Sequence, residues 1–89
     1  MGERLRVVAA AILHGKTIYS MPAPARHHDV CGMMIAQGLS PEATRDQGFL
    51  LSDGRFCSRK AACRIALRAK QLVREKTYPK HLLFSEDVW

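Results

Sequence analysis

Apolar and polar positions along the 89-residue chain fall into strand-like and helix-like patterns in turn. Arg6 to Leu13 is dense in small and β-branched residues. Val7, Ala9, Ala11 and Leu13 would lie on one face of an extended strand, and Val8, Ala10 and Ile12 on the other. Because both faces are apolar, both are expected to be covered, one of them by a partner subunit. His14-Gly15 is a turn candidate, and Lys16 to Met21 completes a first hairpin. Met21-Pro22-Ala23-Pro24-Ala25 reads as a rigid connector, since its prolines remove donors and hold their predecessors extended. Arg26 to Gln37 follows as a helix with Val30, Met33, Met34 and Gln37 along one side and Gly38 as its C-cap.

Ser40 to Asp46 is polar and reads as a surface loop. From Gln47 the chain runs apolar to an Asp53-Gly54 pair and back, the pattern of a second hairpin with a type I′ turn, in which Leu51-Ser52 faces Arg55-Phe56. Beyond Ser58, the residues Ala62, Ile65, Ala66, Ala69, Leu72 and Val73 recur on one helical face, with Arg59, Lys60, Arg64, Arg68 and Arg74 mostly elsewhere. This is the longest helical pattern in the protein. Lys76 to Lys80 reads as a basic linker and His81 to Phe84 as a short edge strand. Ser85 to Trp89 is expected to dock, because apolar residues precede it and an aromatic ends it. The fold class that follows is α+β: a single domain over residues 1–89, with a small antiparallel sheet of two hairpins plus a terminal strand, packed against two helices.

Charge narrows the class of partner. With 14 Lys and Arg against 8 Asp and Glu, the net charge of +6 favours acidic partners such as nucleic acid, nucleotides or an anionic surface. Three cysteines without CxxC spacing, Cys31, Cys57 and Cys63, indicate neither a disulfide framework nor a zinc site and suit a reducing cytoplasm. MGERLR followed by VVAAAIL imitates a signal peptide, but His14, Gly15 and Lys16 interrupt the apolar run, so it reads as a strand. A chain this short buries a modest core, and a homo-oligomer is expected.

Candidate chemistry gathers at the helix that begins at Ser58. Ser58 is a good N-cap, yet Arg59 and Lys60 follow it and Arg55 lies just upstream, so three cations oppose the helix dipole. Free backbone N–H groups with these cations form an expected phosphate site, to which His28 can contribute. His27-His28-Asp29 is the other conspicuous cluster. Adjacent histidines on a helix diverge by about 100°, so a metal or acid–base site would need one of them with a distant Glu86 or Asp87. The carboxylates of Glu86 and Asp87 are suited to pairing with Arg55, Arg59 or Lys60, or to accepting hydrogen bonds from a ribose or a base. No Gly-rich phosphate loop, GxSxG elbow, HExxH or Cys/His nucleophile signature is present, so no catalytic set, metal or cofactor is implied.

PAPARHHDV, QGFLLSDGRF followed by SRKAACRIALRAKQ, and LFSEDVW together resemble a family of small proteins encoded by bacteriophages and prophages. The shared features are the HH pair, QGF, GRFxxRKAA and SEDxW. The resemblance runs from about Pro22 to Trp89, apart from the loop from Gly38 to Asp46 and the linker from Val73 to Leu82. Small phage proteins of this kind often act against host defences, and one such strategy is to sequester nucleotide immune signals in a pocket between subunits. The resemblance thus implies a ligand-binding role in the cytoplasm of a bacterial host. It marks His27, His28, Gln47, Arg55, Arg59, Ser85, Glu86 and Asp87 as the polar motif positions, beside Ser58 and Lys60 from the helix start. Three functions fit these residues. They are a protein that binds a phosphate-bearing nucleotide or cyclic nucleotide, a nucleotide phosphoesterase using His27 or His28 with Glu86 or Asp87, and a basic adaptor for nucleic acid or a host protein.

Overall fold

The computed structural model describes residues 5–39, 46–76 and 80–89. Strands β1 (Val7–His14) and β2 (Thr17–Pro22) form the first hairpin, and helix α1 (His27–Ala36) follows. Strands β3 (Asp46–Leu51) and β4 (Phe56–Ser58) form the second hairpin, which runs directly into α2 (Arg59–Arg68); a single turn, α3 (Ser85–Val88), comes last. The sheet order is β2-β1-β3-β4, with every neighbouring pair antiparallel. The expected α+β architecture of two hairpins and packed helices is what forms.

Register decides which side chains share a face. Ala10 lies opposite Phe49, Ile12 opposite Gln47 and Val7 opposite Leu51, which brings the inward residues of β1 and β3 onto one side. A bulge between Val7 and Ala9 shifts the phase of β1, so Val7 and Ala10 both reach that side. There α1 lays Val30 and Met34 on Ala10 and Ile12, and α2 lays Ala62, Cys63 and Ala66 on Val7, Phe49 and Leu51. Trp89 packs against both clusters and joins them. Fully burying each of the larger side chains contributes about 1.5–3 kcal/mol. The opposite face carries Ala9, Ala11, Leu13, Leu50 and Phe56, with Ile18 40% exposed.

Four expectations are corrected. The β3–β4 turn is not type I′, because only Gly54 has positive φ (89°); Leu51 faces Arg55 and the three residues Ser52 to Gly54 make the turn. The first hairpin turns on Gly15-Lys16, one residue later than His14-Gly15. Helix α2 stops at Arg68 although the apolar period continues, because Lys70 adopts left-handed φ (57°) while its N–H bonds the Leu67 carbonyl and that of Gln71 the Ala66 carbonyl. That is a Schellman stop with lysine where glycine is usual, so no sequence signal marks it. The stop turns Gln71 toward β1, where its amide pairs with both the N–H and the carbonyl of Val7 at 2.8 Å each. Lastly, the run from His81 to Phe84 adds no strand. The N–H of Leu83 donates to the Arg59 carbonyl, and the Leu83 carbonyl accepts from the Arg59 guanidinium, so the segment crosses the start of α2. The expected loop from Ser40 to Asp46 lies outside the described residues except for Asp46, which opens β3, and linker residues 77–79 lie outside them too.

Gly48 is needed in β3 for space. A Cβ there would stand 2.0 Å from the Cys57 carbonyl oxygen and 2.9 Å from the ring of Phe56. Backbone cannot yield cheaply, so Gly48→Ala should cost about 1–3 kcal/mol or more, lowering the melting temperature by roughly 10 °C. Thermal denaturation checks this, and a variant melting within a degree or two of the parent would contradict it.

Candidate functional site

The starts of α1, α2 and α3 meet around a cleft of about 220 Å³ lined by Arg26, His27, His28, Arg59, Phe84, Ser85 and Glu86. Each segment arrives there for a local reason. Arg26 caps α1 in extended conformation, and its backbone N–H donates to the Asp29 carboxylate at 2.8 Å. Ser58 caps α2 through its Oγ, which accepts from the Ala61 N–H. Asp87 fixes α3: it is fully buried and accepts from the Phe84 N–H at 2.9 Å, Arg74 Nε at 2.9 Å and Lys76 Nζ at 2.8 Å.

Arg59 is the most tightly held side chain of the cleft. One guanidinium nitrogen donates to the Leu83 carbonyl (2.8 Å), another to Gln47 Oε1 (2.7 Å), and the group lies 4.8 Å from the centroid of Phe84. Burial lowers its pKa, and the negative charges of Glu86 and Asp87 act in the opposite sense. Arg26 donates to the Trp89 carbonyl (2.6 Å) and Ser85 Oγ (3.4 Å), with Glu86 Oε1 at 4.0 Å. The pKa of the Glu86 carboxyl is lowered chiefly by its own backbone N–H, with help from Ser85 and Arg26.

His27 is buried, with Nε2 2.7 Å from the Gly48 carbonyl and its ring edge-on to Phe49 at 5.0 Å. A carbonyl only accepts, so Nε2 carries the proton and Nδ1 of the neutral ring is left as an acceptor. Burial lowers the pKa first and the charge of Arg59 lowers it further, against the opposing Gly48 bond and Glu86. His28 is exposed and sits 3.4 Å from Asp29. Two arginines, two histidines, Ser85, Glu86 and Phe84 therefore line one small space.

Of the residues expected from sequence, the cleft brings together His27, His28, Arg59, Ser85 and Glu86, with Gln47 behind Arg59. Ser58 serves as a cap, Lys60 is exposed outside the lining, and Asp87 lies beneath the floor as the anchor of Arg74 and Lys76. Arg55 is exposed in the hairpin turn, where it pairs with Asp53 at 2.6 Å. Sequence reasoning missed Arg26 and Phe84. Arg26 immediately precedes the two histidines at a helix start, and that position was the available signal. Among the described residues no group of three or more His, Cys, Asp or Glu is placed to hold a metal, and no helix is long and apolar enough to cross a membrane.

A family profile described as "Phage T4 y16D protein" matches residues 6–89. The chain belongs to the phage T4 y16D protein family. No match was found among curated proteins or among solved structures. The matched span of this y16D-family protein includes every residue that lines the cleft.

Two buried groups, Asp87 and His27, weaken the fold on acidification. Burial alone would raise the Asp87 pKa, but hydrogen bonds from Lys76, the Phe84 N–H and Arg74 bring it below the ordinary value. Its contribution is therefore complete above the ordinary carboxylate pKa and is lost as pH falls from there through its own lowered pKa. His27, with its pKa lowered, binds a proton more readily unfolded, so acidification below about 6.5 also favours unfolding. Melting temperature should fall from pH 7 to 5 and fall further below about 4. Asp87→Asn, which leaves two cations short of a partner, should cost about 3–5 kcal/mol at pH 7. Calorimetric melts across pH check both, and a melting temperature that rises on acidification would contradict the assignment.

Proposed function

We propose that this phage protein binds a phosphate-bearing nucleotide in the cleft and holds it without cleaving it, sequestering a host immune-signalling nucleotide. The observation that carries the reading is the convergence of Arg26, Arg59 and the first turns of α1 and α2 on one space. Backbone N–H groups at helix starts and guanidinium forks are the ordinary means of holding a phosphate. In this arrangement the phosphate takes the Arg26 and Arg59 side with His28, while Glu86 and Ser85 accept from ribose or base. Phe84, already flanked by Arg59, supplies the apolar wall.

Size bears on the assembly. A volume of about 220 Å³ lies below the range of about 300–1,000 Å³ usual for small-molecule sites. A cyclic dinucleotide would therefore need a second wall, which a homo-oligomer supplies by placing two clefts together. Light scattering should return a dimer or larger.

Titration calorimetry with nucleoside phosphates and cyclic dinucleotides tests the site. Each charge-assisted hydrogen bond contributes about 1.5–3 kcal/mol, so Arg26→Ala should weaken binding tenfold to a hundredfold, and His28→Ala by less. Arg55→Ala, outside the cleft, should leave binding unchanged. Ligand released by heating should be chemically intact. Equal loss for Arg55→Ala and Arg26→Ala, or recovery of a cleaved nucleotide, would overturn the reading.

A further inference from the structure

We propose that the outer face of α2 is a second anion-binding surface, one that takes the phosphate backbone of nucleic acid without reading its sequence. Residues 59–76 hold seven of the chain's 14 Lys and Arg and a single acid, Glu75. Arg59 is committed to the cleft, and Arg74 and Lys76 to Asp87. Lys60, Arg64 and Arg68 are exposed on the face of α2 turned away from Ala62, Cys63 and Ala66. At four-residue spacing they form one row, and the rise of about 1.5 Å per residue makes it about 12 Å long. Among the described residues no ion pair joins Lys60 or Arg64 to a carboxylate. Lys60 and Arg64, like charges four apart, repel, and Lys60 also opposes the helix dipole, whereas Arg68 in the last turn suits it.

The composition of this face selects the partner. A membrane-surface helix must offer its apolar side to lipid, and here that side is buried against the sheet. A protein interface is built on aromatic or apolar anchors, and the only large apolar side chain exposed on α2 is Leu67. A row of long cations without an anchor gives positioning contacts to phosphates and little else. Binding of this kind is weak and strongly salt-dependent.

Fluorescence polarisation with a labelled 20-base-pair DNA duplex of arbitrary sequence, at about 50 to 200 mM salt, tests the surface. The dissociation constant should fall in the range of about 1–100 μM, with a slope of log affinity against log salt of about −2 to −3, as expected for three neutralised phosphates. Arg64→Glu should weaken binding about tenfold or more and flatten the slope, with the melting temperature no lower than the parent's, because the like-charge repulsion with Lys60 is relieved. Lys16→Glu, an equal charge change in the β1–β2 turn, should have little effect. A saturating small nucleotide should not displace the duplex, which separates this surface from the cleft. The proposal is overturned by no binding at 50 mM salt, by equal losses for Arg64→Glu and Lys16→Glu, by full displacement with small nucleotide, or by anionic vesicles binding where the duplex does not.

Discussion

A guanidinium drawn below the surface must have its donors satisfied, and the way Arg59 meets that demand organises the molecule around the cleft. Arg59 is the first residue of α2, so the β4–α2 junction fixes its backbone. Its side chain then bonds β3 through Gln47 and the last segment through Leu83, while the Leu83 N–H returns to the Arg59 carbonyl. One residue thus ties hairpin, helix and terminal segment together, and Phe84 lies against its charged face. The cost of burying the charge is offset by hydrogen bonds that also place that charge at the cleft.

The terminal segment depends on a second buried charge. Asp87 accepts from Arg74 and Lys76 across the chain and from the Phe84 N–H locally, which closes the α3 turn and sets Phe84, Ser85 and Glu86 along the wall. Trp89 continues the same docking: its indole N–H donates to the Ala25 carbonyl, its ring meets Phe49, and its carbonyl accepts from Arg26. The start of α1 is therefore held by the far end of the chain. Stability and site geometry rest on the same contacts.

Much of this was legible in the sequence, for identifiable reasons. Both hairpins were marked by apolar runs around Gly15 and Gly54, and α1 by its connector and by Gly38, which has positive φ. Five of the cleft residues were singled out as motif positions or by the conflict of cations with the α2 dipole. The misses have separate causes. The end of α2 is set by Lys70, a residue that seldom takes a left-handed φ, and the course of His81 to Phe84 is set by Arg59, distant in sequence. Arg55 and Arg59 looked equivalent in sequence. The turn geometry instead pairs Arg55 with its neighbour Asp53, and it is Arg26 that joins Arg59 in lining the cleft.

On the proposed function this cleft, and not the general positive charge of the surface, recognises a phosphate group. Two-dimensional 1H–15N NMR during addition of a nucleoside 5′-monophosphate tests it most directly, because each backbone N–H and each arginine Nε–H reports separately. Saturable shifts are expected at the amides of His27, His28, Arg59 and Glu86 and at the Nε–H groups of Arg26 and Arg59, with Arg55 and Arg64 unmoved. Shifts spread over all exposed arginines without saturation, or none at the cleft, would contradict it.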